Sequence, residues 1–446
     1  MKSSKANSSP TAESESSPGL PPIPKTFFQY LRSLGPGFVV VLTWLGAGDI
    51  VSAGVAGGNY GYALMWAMVL ALLIRFLFVS LIARYQLCNL RGEGVVDGLA
   101  RLHWLYAPFL LIVALLWGHL SCTYMVAGLG EISVSIAGVG AEWMWEIFWV
   151  AVIATLILRP QYSSSETIFK ICIGILAVTL LGCAIWVGIS PKAILKGVFA
   201  FELPATQGPF GAMLVAMGMV GAVGGSLMNL VYPYFLDQKG WKGPGYRKLQ
   251  NYDFLLAVII MIIFNLAVWT LGAELVFGTD RTISSVDDLA MILGGVLGPA
   301  GRVLFLVGVF AAIFTSVLGS GLGLACLASH TWMRWRAGNE DLPMTYRAHP
   351  MYRWAALWVV VSPLIWMGRV DFITLTLLVN TLAVLLIPAL AGGLWWITAS
   401  RKFMGDKYKN RWYDNLLMGG LFILGIYGSW ESSRSVISQI RSMMGS

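Results

Sequence analysis

Charged residues are scarce in this sequence: Asp, Glu, Lys and Arg make up only 12% of its 446 residues, whereas 57% are hydrophobic. This composition excludes a soluble globular protein. Apolar windows of about 20 residues, the length that crosses a bilayer, predict about eleven transmembrane helices. The windows are 36–58, 61–86, 106–129, 143–159, 167–189, 209–235, 251–276, 301–328, 353–368, 372–398 and 414–431, which we number as spans 1 to 11. The sequence therefore predicts an all-α polytopic membrane protein.

The usual spacings of catalytic and metal-ligating residues are also missing. The five Cys are scattered without a CxxC pair, and the four His show no HExxH or similar spacing. These absences argue against a disulfide framework and against a metal cluster built from Cys or His. The sequence also has no nucleophile paired with a base and no phosphate-binding loop. We therefore expect neither an enzyme nor a bound cofactor.

Basic residues are few, but their positions predict the topology. Residues 1–25 are rich in Ser, Pro and Glu and lack an apolar run, so we expect a disordered cytoplasmic tail and not a cleaved signal. With the N-terminus inside, the acidic or neutral loops 128–142 and 274–288 lie outside the cell. The basic loops then lie in the cytoplasm, as the positive-inside rule requires: 84–101, 159–170, 239–248, 334–353 and 401–411.

This topology also explains the net charge. The value of +8 arises from the basic loops and does not indicate binding to nucleic acid. We expect an integral protein of the plasma membrane whose partner is the lipid bilayer. Nothing in the sequence indicates an obligatory protein partner.

Glycines interrupt two of the predicted spans near the middle of the membrane. Span 1 reads GPGFVVVLTWL, then GAGD, then IVSAGVAGG, and span 6 reads GPFGAMLVAMGMV, then GAVGGS, then LMNLVYPYF. Unwound backbone at this depth is tolerated only where it lines a cavity or is buried in protein. Matched broken helices in two halves are typical of transporters built from inverted repeats. Close helix packing by small residues is the alternative for either span alone.

Asp49 lies in the first of these interruptions and is the only carboxylate at a mid-span position. A charge there costs about 2.5–3.5 kcal/mol, so it usually faces a substrate or ion path. A carboxylate and freed carbonyl oxygens together favour a hard cation. The predicted metal site therefore consists of Asp49, backbone oxygens near Gly46 and Val223, and the side chains of Ser226, Asn229 and Asn380. The alternative is a structural salt bridge between Asp49 and Arg75 in span 2.

The sequence resembles the Nramp family of divalent metal transporters over nearly its whole length. The likeness rests on GPGF at 35–38 with the glycine-containing tetrapeptide that follows, on SLIARYQLCNLRGEGVVDGLARL at 80–102, and on Asn380 ahead of Pro388. It implies a LeuT-like five-plus-five inverted repeat with broken helices 1 and 6, an added eleventh helix, and alternating access. The implied divisions are a tail (1–25), a first repeat (26–190), a second repeat (191–398), and helix 11 with the C-terminal tail (399–446).

Departures from the family pattern affect the predicted substrate. GAGD replaces DPGN, so the acid moves from the position of Gly46 to that of Asp49, and Ser226-Leu227-Met228 replaces MPH in the sixth helix. Loss of the soft thioether disfavours transition ions, whereas Mg²⁺ keeps several waters and needs only one or two carboxylates. The pattern is similar to the Nramp-related magnesium transporters. It predicts a transported divalent cation, with Mg²⁺ first and Mn²⁺ second.

The residues that would couple transport to protons are also missing. The family's sixth-helix histidines and third-helix acids have no counterpart, and His119 in span 3 has packing as its commoner role. We therefore expect uptake without obligatory proton coupling. The alternatives are a proton-coupled transition-metal transporter, or a sodium-coupled symporter of a small organic solute that uses Thr315 and Ser316 in span 8. A protein without transport activity is a further class, but no soluble output domain supports a sensor.

Overall fold

The computed structural model of this chain describes residues 21–33, 36–158, 171–172, 174–175, 177–207, 209–280, 282–283, 285–338, 340, 346–369 and 371–444. In these ranges the secondary structure is helical, apart from one isolated bridge between Gln207 and Phe210. The predicted tail at 1–25 and the predicted loop at 159–170 lie largely or wholly outside the described residues. The all-α prediction is confirmed for the part of the chain that is described.

Helix is present in each of the eleven predicted spans. The α-helices are Phe27–Ser33, Pro36–Trp44, Ala47–Tyr60, Met65–Cys88, Val95–Leu102, Tyr106–Ala137, Glu142–Leu158, Gly182–Val187, Pro191–Ala200, Ala212–Val223, Tyr232–Gln238, Arg247–Leu275, Val286–Ala337, Pro350–Val361, Phe372–Ala383, Ile387–Ala399, Arg401–Tyr408 and Trp412–Met444. Short 3₁₀ segments lie at Leu227–Val231, Pro244–Tyr246, Ser362–Trp366 and Val384–Leu386, and a π-helix lies at Ala177–Leu181.

Six helical stretches of the described residues are long and apolar enough to cross a bilayer when consecutive α-helical and 3₁₀ segments are taken together, or seven if the bent pair at 177–200 counts as one. Other predicted spans are shorter or interrupted. Span 1 is divided into helices of 9 and 14 residues, and span 4 is a helix of 17 residues. Irregular backbone of this kind is expected only where neighbouring helices bury it.

Span 1 breaks at Leu45 and Gly46, so the break is shorter than the predicted tetrapeptide 46–49. Gly46 is extended, and its carbonyl accepts the first hydrogen bond of the second half-helix from the Ile50 N–H at 3.1 Å. Asp49 therefore lies in the first turn of Ala47–Tyr60. A carboxylate is favoured there because the unsatisfied N–H groups of a helix N-terminus carry partial positive charge.

Span 6 breaks at Gly224 and Gly225, as its glycines predict. The first half ends where the Gly224 N–H donates to the Val220 carbonyl at 2.8 Å. Ser226 then begins the 3₁₀ segment, and its Oγ accepts the Met228 N–H at 3.3 Å. The second half, Tyr232–Gln238, continues to the end of the bundle that carries the basic loops, which we call the basic end.

Glycine packing between helices, the alternative explanation for the glycines, occurs in a different part of span 1. Spans 1 and 7 cross so closely that a Cβ on Gly272 would lie 2.6 Å from the Gly58 nitrogen and 2.7 Å from the Gly54 carbonyl oxygen. Only residues without a side chain allow this approach of two backbones. The glycines of span 1 therefore serve two purposes, a break at Gly46 and close packing from Gly54 to Gly58.

At the basic end, Asp97 in the short helix after span 2 lies at the centre of a buried ion-pair network. Its carboxylate is 3.0 Å from His330 Nε2 and 2.5 Å from an Arg334 guanidinium nitrogen, both from span 8. The Tyr234 hydroxyl in the second half of span 6 lies 3.0 Å from His330 Nδ1. Burial opposes ionisation of Asp97, but His330 and Arg334 outweigh it and lower its pKa to about 2. Asp97 therefore stays ionised at neutral pH, and its network ties three segments together below the two breaks.

We predict that Gly272→Ala lowers the thermal stability of the detergent-solubilised protein. Forcing a methyl group into this crossing should cost about 1–3 kcal/mol, as overpacking usually does. Gly420→Ala in span 11 is the matched control, since a Cβ there would meet no atom within 4 Å. Thermal unfolding that is the same for both variants would contradict close packing at the crossing of spans 1 and 7.

We also predict that Asp97→Asn destabilises the protein by about 3–5 kcal/mol, because it leaves Arg334 buried without its carboxylate. Asp406→Asn is the control, because Asp406 pairs with Arg401 and Lys409 but is 54% exposed. An exposed pair contributes about 0–1 kcal/mol. The measurement is again thermal unfolding, and equal losses in the two variants would contradict the central role of Asp97.

Candidate functional site

A small cavity lies between the breaks of spans 1 and 6. Its volume is about 30 Å³, which is room for about two water molecules or for an ion with a water. Side chains and backbone from spans 1, 3, 6, 8 and 10 surround it. The lining residues are Thr43, Trp44, Gly46, Gly48, Asp49, Trp117, Ser121, Tyr124, Met125, Ala222, Ser226, Met228, Ser320 and Asn380.

Four of the six predicted ligands lie in this lining: Gly46, Asp49, Ser226 and Asn380. They come from spans 1, 6 and 10, which are far apart in sequence. Asp49 is the only carboxylate among the described lining residues, as the sequence predicts for mid-membrane positions. Oxygen groups from three spans therefore converge on a space the size of a partly hydrated ion.

The other two predicted ligands, Val223 and Asn229, are not among the described lining residues and have partners within the protein. The Val223 carbonyl accepts a hydrogen bond from Arg75 Nε at 2.9 Å. Asn229 Nδ2 donates to the Gly224 carbonyl at 3.1 Å, whereas its Oδ1 is buried without a hydrogen-bond partner among the described residues. The first half of span 6 ends here. Its last carbonyls have no hydrogen-bond donor within the helix, and side chains of Arg75 and Asn229 donate to them instead.

Asp49 also faces Arg75, the partner that the salt-bridge alternative names. Arg75 Nη1 lies 3.6 Å from Asp49 Oδ2, and both side chains are 1% exposed. This distance is too long for a hydrogen bond, and Asp49 Oδ2 has no hydrogen-bond partner among the described residues. The Asn265 side chain in span 7 lies beside the same carboxylate. Asp49 thus lines the cavity and belongs to an ion pair at the same time.

Asn380 reaches the cavity because Gly48 has no side chain. A Cβ on Gly48 would lie 2.6 Å from Asn380 Nδ2. The Asn380 Oδ1 accepts a hydrogen bond from the Tyr124 hydroxyl at 3.3 Å, and its Nδ2 is buried without a partner among the described residues. The second glycine of GAGD is therefore needed for the contact between spans 1 and 10.

The contribution of span 3 was not predicted from the sequence, because only acidic residues and His119 were considered there. Ser121, Tyr124 and Met125 all line the cavity from this span. Comparison at the MPH position predicted no thioether at the site, but Met125 and Met228 both line the cavity. The spacing of Ser121, Tyr124 and Met125, which places all three on one helix face, is the signal that could have identified them.

His119 and Thr315, two of the three groups proposed for proton or sodium coupling, have partners away from the cavity lining, whereas Ser316 packs against Gly46. His119 Nε2 accepts the Trp366 indole N–H at 2.9 Å, and its Nδ1 lies 2.8 Å from the Ser362 hydroxyl. The Thr315 hydroxyl donates to the Ala311 carbonyl of its own helix at 2.7 Å. These contacts are those of packing residues, which is the commoner role for such side chains.

Sequence comparison relates the chain to transporters. The profile of the Nramp family, described as "Natural resistance-associated macrophage protein-like", matches residues 37–429. "Divalent metal cation transporter MntH" of Verminephrobacter eiseniae is 23% identical over 402 residues, which are 84% of this chain and 83% of that protein. "Natural resistance-associated macrophage protein 2" of Homo sapiens is 24% identical over 320 residues, which are 62% of this chain and 54% of that protein.

Solved structures share the fold. A manganese transporter of Eremococcus coleocola superposes with a TM-score of 0.69 at 17% identity, covering 95% of this chain and 90% of its own. Mhp1, a nucleobase-cation-symport-1 family transporter, gives a TM-score of 0.54 at 13% identity, with 92% of each chain covered. These likenesses confirm the predicted LeuT-like fold with broken helices 1 and 6, and the relatives are transporters, as predicted, and not enzymes. Since the family profile spans most of the chain, this integral membrane protein belongs to the Nramp family.

Proposed function

We propose that this protein carries divalent cations into the cytoplasm by alternating access, with Mg²⁺ as the first candidate and Mn²⁺ as the second. The observation that carries the proposal is the single carboxylate, Asp49, in a cavity of about 30 Å³ between two helix breaks. Such a space suits an ion that keeps part of its water. The names of the relatives, which include a divalent metal cation transporter and a manganese transporter, support the same class of substrate.

In this proposal Asp49 supplies the anchoring charge. The Gly46 carbonyl and the side chains of Ser226 and Asn380 supply further oxygens, directly or through water. Val223 and Asn229 are not in the described lining, so they would join the site only after the break of span 6 rearranges. The Val223 carbonyl already accepts from Arg75 Nε, and Asn229 Oδ1 is buried without a partner among the described residues. A carboxylate combined with carbonyl, hydroxyl and amide oxygens favours hard ions such as Mg²⁺ and Mn²⁺.

The two cavity methionines bear on the choice between these ions. Thioether sulfur is a soft ligand that Mg²⁺ does not need. Met125 and Met228 therefore make Mn²⁺ a stronger candidate substrate than the sequence alone suggests. Mg²⁺ remains first because oxygen groups outnumber the two sulfurs around the cavity.

The proposal places the basic end in the cytoplasm, the N-terminus inside and the protein in the plasma membrane, as the positive-inside rule indicates. The repeats 26–190 and 191–398 then move relative to each other around the cavity. We expect transport without obligatory proton coupling, because His119 packs against Trp366 and Ser362 and is not among the described lining residues of the cavity.

A sodium-coupled symporter of an organic solute is the alternative that the likeness to Mhp1 favours. The cavity volume of about 30 Å³ counts against it, since that space does not admit an organic molecule in this conformation. The Thr315 hydroxyl, one of the two proposed sodium ligands, also donates a hydrogen bond to a carbonyl of its own helix, which counts against its role in binding sodium.

We predict that Asp49→Asn reduces Mg²⁺ uptake into proteoliposomes at least about tenfold, since losing a contact to a charged group usually costs more than 1.4 kcal/mol. Asp371→Asn is the control, because Asp371 caps span 10 through the Thr374 N–H and asparagine caps equally well. Monodisperse elution of both variants establishes that they fold.

The same uptake assay, with internal pH monitored, tests the mechanism. Undiminished Mg²⁺ and Mn²⁺ flux in Asp49→Asn would refute the proposed site. Flux that requires a sodium gradient, or that acidifies the vesicle interior, would instead favour one of the coupled alternatives.

We further predict that replacing both cavity methionines, as M125L and M228L together, leaves Mg²⁺ uptake within about twofold of wild type and weakens competition by Mn²⁺. Leucine keeps nearly the same volume but removes the soft sulfur. Competition between labelled Mg²⁺ and unlabelled Mn²⁺ gives the measurement. A variant that loses both fluxes equally, or a wild-type protein that carries Mn²⁺ and no Mg²⁺, would contradict the order of the two ions.

A further inference from the structure

Arg75 in span 2 places a buried positive charge beside the proposed cation site. Its side chain is 1% exposed, and its guanidinium faces Asp49. Arginine remains charged under all physiological conditions. A second cation that binds at Asp49 must therefore compete with a charge that is already present.

The guanidinium contacts the same kinds of group that a metal ion would use. Its Nε donates to the Val223 carbonyl at 2.9 Å and its Nη2 to the Ala222 carbonyl at 2.9 Å. Its Nη1 lies 3.6 Å from Asp49 Oδ2 and 3.4 Å from the Met261 sulfur. One side chain thus links the break of span 1 to the break of span 6.

The contacts of Arg75 differ in strength, and the contact to Asp49 is the loose one. The two carbonyl contacts are ordinary hydrogen bonds, and the guanidinium also lies 4.8 Å from the centre of the Trp44 ring. The distance of 3.6 Å to Asp49 exceeds hydrogen-bond range. By comparison, Arg334 lies 2.5 Å from Asp97 in the network at the basic end. Asp49 can therefore leave Arg75 without disturbing the other partners of the guanidinium.

The ion pair with Arg75 also lowers the free-energy cost of keeping Asp49 ionised when no substrate ion is bound. A lone carboxylate at membrane depth is expensive, and breaking a buried ion pair leaves an uncompensated charge. With Arg75 beside it, Asp49 is neutralised while no substrate is bound. A divalent ion can then take over that neutralisation when it enters the cavity.

We propose that Arg75 is a tethered counter-cation, which neutralises Asp49 in the empty transporter and competes with the transported ion for it. This inference rests on the proposed function. Arg75 lowers the affinity for the ion, which favours its release, and it allows the empty carrier to reorient without an unpaired charge. It is thus a residue that sets specificity and affinity from beside the cavity.

The test measures Mg²⁺ and Mn²⁺ binding to the purified full-length protein in nanodiscs by calorimetry, and uptake into proteoliposomes. In Arg75→Gln we expect binding at least about tenfold tighter than in wild type. The KM for uptake should fall, and the maximal rate should fall as well, because the empty carrier now carries an unpaired Asp49. A purely structural role for Arg75 would not produce tighter binding.

Two further variants sharpen the test. Arg84→Gln is the matched control, because Arg84 lies on the same helix, pairs with Asp414 at 2.8 Å and is not among the described residues of the cavity lining. It should bind the ion as wild type does. Arg75→Met also removes the charge, and its flexible, unbranched side chain fills part of the same space. It should bind at least about threefold tighter than wild type, and it decides the question if Arg75→Gln does not fold.

The outcomes separate this inference from the proposed function. Wild-type affinity or weaker binding in Arg75→Gln, with binding intact in wild type, overturns the role of Arg75 and leaves the cation site standing. Wild-type affinity in Arg75→Met does the same where Arg75→Gln cannot be purified. Absence of binding in wild type and in both Arg75 variants overturns the proposed function, and the inference with it.

Discussion

The burial of Asp49 is the constraint on which the rest of this structure depends. A carboxylate at membrane depth needs partial or full positive charge around it. The N-terminus of the second half of span 1 supplies a partial positive charge, and the guanidinium of Arg75 supplies a full one. Arg75 in turn needs acceptors, which the end of the first half of span 6 provides. The charge on Asp49 thus accounts for the way in which spans 1, 2 and 6 meet.

The two helix breaks are consequently parts of one polar unit. Without Arg75, the Ala222 carbonyl at the end of its helix would lose this donor, and the Val223 carbonyl would keep only the long contact of 3.5 Å from Asn229 Nδ2. Asn229 completes this arrangement by donating to Gly224. The cavity lies at the edge of the unit, where the polar groups no longer satisfy one another completely. Asp49 Oδ2 and Asn380 Nδ2 are buried there without hydrogen-bond partners among the described residues.

Glycine explains how this polar unit fits inside a packed bundle. Gly48 admits Asn380 from span 10, and Gly272 admits the backbone of span 1 from Gly54 to Gly58. The basic end is held by different forces, through a compact ion-pair network around Asp97. The contacts of Asp97 are shorter than the contact between Asp49 and Arg75, which agrees with the exchange proposed for Asp49.

Sequence alone determined the membrane class, the helical spans and the two breaks, because hydropathy and clustered glycines act locally along the chain. It also singled out Asp49, since an acid in an apolar run is visible without any structure. Tertiary structure decided which oxygens share the cavity with Asp49, that span 3 contributes Tyr124 and Met125, and that Arg75 holds the Val223 carbonyl. These facts depend on how helices far apart in sequence are oriented against one another. Local pattern shows which residues are unusual, whereas packing decides which of them meet.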